Sequence, residues 1–289
     1  MHLFFQELLN GLVVGSLYAL VALGLALVYG TMAVPNFAHG HLFMLGAYTA
    51  LFAMNAVHVP YWNYWFGMAA AIAALAVIGV ILERIVFRPL RDAPPVNAII
   101  AAVGVLVFVQ TVAQLLFTAD FRVFPSPYDV PVHFFGLATT LHRLIVIVAA
   151  AAFMALLFLF LKKTLTGATI EAVAQDRHGA ALMGIDTNRV SMLVFAISSG
   201  MAAAAAALIA SINLIYPSMG LTYNLKAFAV IVLGGMGSVP GAIVGAYILA
   251  FAEAFGGAYI SSAYQDVIAF GLLVIILTVR PTGLFARGT

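Results

Sequence analysis

Charged residues are scarce in this 289-residue chain: 12 Lys and Arg and 10 Asp and Glu make up 8% of it, and 65% is hydrophobic. Soluble proteins carry about 25% charged residues, so this chain has too few charges to cover a soluble surface. A membrane-spanning helix needs about 20 apolar residues, which leaves room for about seven to ten spans. The composition predicts a polytopic, all-α membrane protein and excludes a soluble enzyme, a nucleic-acid binder and a disordered chain.

Several motifs are missing as well. The chain has no cysteine, which excludes disulfides, thiol catalysis and Cys-based metal sites. It has no G-x-x-x-x-G-K-[ST] loop, so it does not bind ATP by that device. The first seven residues contain no Lys or Arg, and the apolar stretch Leu8–Tyr29 is too long for a signal peptide. We therefore expect this stretch to be a retained first span.

Apolar stretches of membrane-spanning length recur along the chain. Leu144–Leu161 is the strongest signal, with 18 residues and no polar side chain. The other clear spans are Leu8–Tyr29, Trp65–Leu82, Ala98–Phe117, Val190–Asn213 and a last one ending at Val279. Pro35–Val57 and Leu225–Gly257 are apolar but interrupted by Gly, Pro and polar residues. In all, the pattern predicts about eight membrane segments in a single domain over residues 1–289.

The cations orient these spans. Nine of the twelve Lys and Arg fall in three regions, which the positive-inside rule assigns to the cytoplasm. They are Arg84, Arg88 and Arg91, then Lys162, Lys163, Arg177 and Arg189, and finally Arg280 and Arg287. The loops Thr118–Thr140 and Leu214–Asn224 then face outward, with the N-terminus outside and the C-terminus in the cytoplasm.

The same parity requires Leu225–Gly257 to cross the membrane an even number of times. Its Gly-rich interruption at Gly234–Gly241 fits a re-entrant pair of half-helices better than two full spans, and such broken helices line transport paths. The alternative is a Gly-rich helix-packing face. The tripeptide Gly46–Tyr48 recurs at Gly245–Tyr247, which hints at an internal duplication.

Few ionisable residues lie at membrane depth: Glu253, Lys226, His39 and His41. Ion-coupled carriers usually keep acids, His or Arg there as relays. Coupling to protons is therefore disfavoured, and energy for uphill transport is expected from another subunit.

The long cytoplasmic loop, residues 162–189, has a helical pattern. Thr169 is a candidate N-cap, and Gly184 supplies a stop. A short helix with one apolar face, formed by Ile170, Val173, Ala174, Ala181 and Leu182, suits docking into a partner. The alternative is an interfacial helix on lipid headgroups.

Several motifs resemble the branched-chain amino acid ABC-transporter permease family of the LivH type. They are Tyr18–Gly30, Pro35-Asn-Phe-Ala-His-Gly40, Ala172-Val-Ala-Gln-Asp-Arg177 with Leu182-Met-Gly-Ile185, Leu233-Gly-Gly-Met-Gly-Ser-Val-Pro-Gly-Ala242 and Arg280-Pro-Thr-Gly-Leu-Phe285. These run in order over nearly the whole chain. The chain departs from the family at His41, where an acid is usual.

The resemblance implies a subunit of a binding-protein-dependent importer in the bacterial inner membrane. Its partners would be a second, LivM-like permease, two cytoplasmic ATPases that bind ATP–Mg, an extracytoplasmic solute-binding protein and membrane lipid. This chain itself would hold no cofactor and would not be an enzyme. Branched-chain or related hydrophobic and aromatic amino acids would pass by alternating access.

Two groups of candidate site residues follow. ATPase coupling is assigned to Glu171, Gln175, Asp176, Arg177, Met183 and Gly184. The solute path is assigned to Asn36, His39, His41, Gly234, Gly235, Gly237 and Ser238. Each has a competing structural role, and Gln110 and Gln114 are expected to hydrogen-bond between helices rather than line the path. The alternative functions are a proton-coupled carrier and a channel for a small polar solute such as urea or an amide.

Overall fold

The structure is a computed structural model that describes residues 2–57, 59, 61–134, 137–280 and 282–285. Its α-helices are α1 (His2–Met32), α2 (His39–Asn55), α3 (Trp62–Leu82), α4 (Pro95–Phe117), α5 (Leu141–Lys163), α6 (Leu165–Gln175), α7 (Arg177–Leu182), α8 (Thr187–Ala210), α9 (Met219–Gly234), α10 (Val239–Tyr259) and α11 (Gln265–Val279). A π-helix (Glu83–Phe87) and a 3₁₀ turn (Arg88–Leu90) prolong α3, and a 3₁₀ turn (Ser262–Tyr264) precedes α11. Two short strands, β1 (Pro131–Phe134) and β2 (Leu137–Thr140), pair antiparallel with Val132 opposite Thr139.

Seven helices in the described part of the chain are long and apolar enough to cross a membrane. They are α1, α3 with its extension, α4, α5, α8, α10, and α11 with the turn before it. Helix α9 is a shorter apolar helix of 16 residues. The predicted polytopic, all-α membrane protein with about eight membrane segments is confirmed.

The helix bundle has two distinct ends. At the strand end, near β1 and β2, Arg143 in the first turn of α5 donates to Asn10 Oδ1 of α1 at 3.0 Å. Beside it, His142 Nε2 donates to the carbonyl oxygen of Leu208 near the end of α8, at 3.1 Å. At the loop end, α5 finishes and α6 and α7 follow. Helices α1 and α8 therefore run in opposite directions, and the described residues begin at the strand end with His2 and reach the loop end at Phe285.

Helices α1 and α8 form the buried centre. Helix α1 is apolar on every side, which is typical of a helix surrounded by others. In α8 the small residues Ala202–Ala207 are buried and allow close approach, so that Gly46 of α2 packs directly over Ala203. Helices α4, α5 and α11 instead leave large apolar side chains exposed, as at Phe108, Val148 and Val274, as expected of helices that face lipid.

The chain folds back into the bundle between α1 and α2. Helix α1 ends at the loop end, where Gly30 approaches Ala174 of α6. Helix α2 begins near mid-depth, because His39 at its start donates from Nε2 to the carbonyl oxygen of Val21 in α1, at 3.0 Å. Residues 33–38 therefore re-enter the bundle without helical structure, and α2 continues to the strand end.

The same arrangement recurs, inverted, between α8 and α9. Helix α8 ends at the strand end, and residues 211–218 lead back into the bundle. Ile215 in this segment exchanges two backbone hydrogen bonds of 2.9 Å with Arg122. Helix α9 then begins where α2 begins, with Gly220 against Gly40, and continues to the loop end.

The two re-entrant segments meet at what we call the midpoint junction, residues Phe37–His41 and Gly220–Asn224. Asn224 holds it together: its Oδ1 accepts from the backbone N–H of Gly40 at 3.2 Å, and its Nδ2 donates to the carbonyl of Phe37 at 3.0 Å. A side chain on Gly40 would place Cβ only 2.1 Å from the carbonyl oxygen of Gly220. Glycine is required here because two backbones touch.

Helices α1–α2–α3 and α8–α9–α10 are related as inverted halves. Each contains a long buried helix, a re-entrant segment with a short helix, and a returning span, and the long helix of each half packs on the returning span of the other. Inverted repeats of this kind are common in transporters. The tripeptides Gly46–Tyr48 and Gly245–Tyr247 do not report this relation, because they lie on α2 and α10, which are not equivalent helices.

The predicted interruption after Gly234 lies at the loop end rather than within the membrane. Residues 235–238 form a turn there, with Gly235 and Gly237 at φ of 105° and 79°. The C-terminal segment binds beside it: the N–H of Phe285 donates to the carbonyl of Gly234 at 2.9 Å. Helix α10 is consequently long enough to be a full span, and α9 with the segment before it is the re-entrant element. The even number of crossings holds because residues 211–234 lead from the strand end to the loop end and α10 leads back.

Candidate functional site

Helices α6 and α7 form the predicted docking structure of the loop end. The N-cap of α6 is Thr164, whose Oγ1 accepts from the N–H of Gly167 at 3.0 Å. The expectation of a cap at Thr169 is wrong, because this residue lies inside the helix and its hydroxyl donates to the carbonyl of Thr166. Asp176 then caps α7 by accepting from the N–H of Gly179 at 3.0 Å.

One face of this structure packs against the bundle. Ile170, Val173 and Ala180 are buried, and α6 contacts α5, α1 and α8. Ile170 and Val173 of the predicted docking stripe therefore pack on the bundle and are not available to a partner. The other three residues of the stripe, Ala174, Ala181 and Leu182, are exposed and remain available for docking.

The opposite face is apolar and exposed. Leu182 and Met183 have 77% and 83% of their surface accessible. The predicted coupling residues Gln175 and Asp176 are exposed beside them, and Gly184 ends α7 in the left-handed region at φ 81°. An exposed apolar patch on a charged rim is typical of a protein-binding surface. We call Leu182, Met183, Gln175 and Asp176 the docking face.

The other two predicted coupling residues point elsewhere. Glu171 forms an ion pair with Lys162, with Oε1 and Nζ 2.6 Å apart, and so joins α6 to the end of α5. Arg177 is half-buried and donates to Thr187 Oγ1 at 3.4 Å. Both residues tie the loop to the bundle instead of extending from the docking face.

Arg177 lies beside a buried polar group at the end of α3. The carboxylate of Glu83 is fully buried and pairs with Arg91, whose Nη2 lies 2.5 Å from Oε1. Arg91 also donates to the side chain of Asn188 at the start of α8. Burial, and then the charge of Arg91, lower the pKa of Arg177. These residues connect α3, α7 and α8 through charge-assisted hydrogen bonds.

The predicted path residues of the first re-entrant segment are internally satisfied. Asn36 Oδ1 accepts from the N–H of Ala38 at 3.1 Å. His39 is fully buried and lies between the carbonyl of Val21 and Ser198 Oγ, the latter 3.4 Å from Nδ1. These contacts support a structural role for His39, which is the alternative to solute binding.

His41 is also fully buried, and it faces α4. Its Nε2 lies 3.2 Å from Oε1 of Gln110. Its Nδ1 has no hydrogen-bond partner among the described residues. This contact supports the predicted role of Gln110 in hydrogen bonding between helices.

The second group of predicted path residues lies at the loop end. Gly237 and Ser238 line a cavity of about 170 Å³ together with Thr31, Glu171 and Ala174. Ser238 caps α10 by accepting from the N–H of Gly241 at 3.2 Å. Gly234 and Gly235 pack beside it against the C-terminal segment. The structure therefore brings this group to the coupling loop and separates it from Asn36, His39 and His41.

Sequence reasoning missed one buried charge cluster. Lys226 donates to Glu253 Oε2 at 3.0 Å and to Tyr18 Oη at 2.8 Å, and Tyr18 Oη donates to Glu253 at 2.7 Å. Asp266 lies 3.1 Å from the ammonium group. The sequence did contain a signal for this cluster: Glu253 and Lys226 are an acid and a base on interrupted apolar segments. Charged residues within a membrane usually pair with one another.

Comparisons with known proteins agree over the whole chain. The family model described as "Branched-chain amino acid transport system / permease component" matches residues 7–277. The high-affinity branched-chain amino acid transport system permease protein LivH of Escherichia coli (strain K12) is 37% identical and aligns with 98% of this chain and 96% of its own. The corresponding protein BraD of Pseudomonas aeruginosa is 36% identical with the same coverage. Among solved structures, PsaBC from Streptococcus pneumoniae in complex with Fab has a TM-score of 0.52 at 14% identity, covering 98% of this chain and 93% of that one, a likeness of fold alone.

Proposed function

The chain belongs to the branched-chain amino acid transport system permease family, and from this premise we propose that it is a membrane subunit of an ATP-driven, binding-protein-dependent importer of branched-chain or related amino acids. The observation that carries the proposal is the docking face. It is apolar, exposed and borne on a loop whose other face packs on the bundle. A chain without a P-loop needs such a surface to receive energy from an ATPase.

The contacts of α6 indicate how the energy would enter. ATP binding would close the partner ATPases and move the docking face. Helix α6 would then displace the end of α1 at Gly30, which approaches Ala174, and through it the turn at Gly237, which Gly30 also approaches. Because α1 and α10 each run through the bundle to the strand end, this displacement would open one end as it closes the other.

The remaining subunits follow from the proposed function. We expect a second, LivM-like permease, two cytoplasmic ATPases that bind ATP–Mg, and an extracytoplasmic solute-binding protein. The loop end would then face the cytoplasm and the strand end the outside of the bacterial inner membrane. The solute path stays assigned to Asn36, His39 and His41 at mid-depth and to Gly234, Gly235, Gly237 and Ser238 at the inner end.

Reconstitution tests the proposal against its alternatives. The chain with its partner subunits in liposomes should take up labelled leucine only when ATP and the binding protein are both supplied. Uptake driven by a pH gradient with this chain alone would contradict it and favour a proton-coupled carrier. Leakage down a solute gradient, without ATP, would favour a channel. Glu253 is the acid that a proton-coupled carrier would use at membrane depth. Its ion pair with Lys226 makes it a poor proton relay.

A further inference from the structure

A second cavity at the loop end lies apart from the predicted solute-path residues. It measures about 370 Å³ and lies between the end of α1, the 3₁₀ turn after α3, the start of α4 and the inner face of α6. Small-molecule sites in proteins enclose about 300–1,000 Å³. The cavity is therefore large enough to hold a small metabolite.

Its polar lining includes charges of both signs. Arg91, Asp92, Gln175 and Arg177 all border the space. The side chain of Arg91 is only 10% exposed, and its Nε has no partner among the described residues. Its Nη1 and Nη2 already donate to Asn188 and Glu83, so the charged groups at this cavity that a ligand can reach are Arg177 and Asp92.

Arg177 lacks a direct ion-pair partner among the described residues at this cavity. Glu83 already pairs with Arg91. Arg177, by contrast, hydrogen-bonds the neutral hydroxyl of Thr187, and no carboxylate lies within ion-pair distance of it in the described part of the chain. Arginine remains protonated at all physiological pH values. An anionic group entering the cavity would therefore relieve the repulsion between Arg91 and Arg177.

The rest of the wall is apolar. Val34, Phe87, Leu90 and Val173 line the cavity beside the charged groups. A phosphate or a nucleotide would match the arginines but would gain nothing from this wall. A ligand that carries a carboxylate, an ammonium group and an aliphatic chain would match all three parts.

We propose that this cavity binds a free aliphatic α-amino acid, with its carboxylate on Arg177, its ammonium group on Asp92 and its side chain against Phe87 and Leu90. The inference rests on the proposed function, because import would deliver such a molecule to this end of the bundle. Arginine and carboxylate form strong paired hydrogen bonds, and the apolar wall selects an aliphatic side chain over a polar one.

Occupation of the cavity would slow transport. A bound amino acid would contact the α1–α2 connection at Val34, the start of α4, and α6 at Val173 and Gln175. It would thus bridge the coupling loop to the bundle and resist the displacement that ATP binding drives. Amino acid accumulated inside would inhibit its own import.

The test uses the complete complex in liposomes with ATP inside and binding protein and labelled leucine outside. Initial uptake and ATP hydrolysis are compared with and without unlabelled leucine in the lumen, each variant being normalised to its own leucine-free vesicles. Lumenal leucine should inhibit, whereas 4-methylpentanoate, which lacks the ammonium group, and inorganic phosphate should not. Asp92→Asn should raise the half-inhibiting leucine concentration about tenfold or more, the loss expected when a charge-assisted hydrogen bond is removed.

The matched control is Asp129→Asn, which makes the same change at an exposed position of the strand end and should behave as the parent. Absence of inhibition in the parent, equal inhibition of Asp92→Asn, or equal inhibition by phosphate would overturn the inference. Absence of any ATP- and binding-protein-dependent uptake from empty vesicles would contradict the proposed function instead. In that case, equilibrium binding of labelled leucine to the detergent-solubilised chain and its Asp92→Asn variant still decides the inference.

Discussion

The substitution Gly40→Ala tests whether the two re-entrant segments meet as tightly as the midpoint junction requires. The added Cβ would lie 2.1 Å from the carbonyl oxygen of Gly220, 2.5 Å from Cβ of Asn224 and 2.8 Å from its backbone nitrogen. Two of these three atoms belong to the backbone of α9, so rotation of a side chain cannot relieve the contact. Helices α2 and α9 must separate, by about 1 Å, to restore ordinary van der Waals distances.

That separation has two energetic costs. Overpacking in a tight core costs about 1–3 kcal/mol. It also stretches the hydrogen bonds of 3.2 and 3.0 Å that Asn224 makes with Gly40 and Phe37, and each buried group left without a partner costs about 1–3 kcal/mol. We expect a total of about 3–5 kcal/mol, which lowers the apparent melting temperature by about 10 °C for a protein of this size.

The assay is thermal unfolding of the purified protein in detergent, with Gly104→Ala as the matched control. Gly104 lies in the middle of α4 with no heavy atom within 4 Å of an added Cβ. Alanine there should be neutral or stabilising by about 0.5–1 kcal/mol through helix propensity. If Gly40→Ala melts within about 2 °C of Gly104→Ala, the close contact between α2 and α9 is refuted.

Three further changes test the charge cluster, the docking face and a helix cap. Lys226→Met should cost about 3–5 kcal/mol because it leaves the buried Glu253 unpaired. Adding Glu253→Gln should recover at least half of this loss in a thermal double-mutant cycle, and additive losses would contradict the pairing. Leu182→Asp should abolish co-purification of ATPase subunits without changing the melting temperature, whereas Val123→Asp, equally exposed at the strand end, should retain them. The backbone N–H groups of Arg189 and Asn188 lower the pKa of Asp186 below its ordinary 3.8, so its cap on α8 should persist above that pH and fail as pH falls through the lowered value. The protection of the first-turn amides of α8 from hydrogen exchange measures this loss. Asp186→Ala should remove the pH dependence of that protection.

The coupling loop shows how far local sequence reasoning reaches. Helical spacing predicts that Ile170 and Val173 share one apolar face; the structure buries both, but against the bundle and not against a partner. The N-cap expected at Thr169 lies at Thr164 instead, and both threonines precede helix-forming residues. Which threonine caps α6 depends on where α5 ends, and the residues around each threonine do not encode that.

The candidate path residues show a different limit. The presence of breaks near Pro35 and Gly234 could be predicted, because Gly and Pro disfavour continuous helix wherever they stand. Their depth could not. The turn after Gly234 lies at the loop end because Phe285, some fifty positions away, hydrogen-bonds to it, and His39 lies at mid-depth because α1 and α8 supply Val21 and Ser198 as its partners.

The sequence by itself determined the class of protein, the positions of its membrane segments and the positively charged regions that mark one face, because these properties add up residue by residue along the chain. Only the tertiary structure decided that two interrupted segments meet at Gly40 and Gly220, that Lys226 pairs with Glu253, and that a cavity with charges of both signs lies under α6. The physical reason is that these features depend on which distant segments pack together. A buried polar group must find a partner, but its own sequence does not say which one.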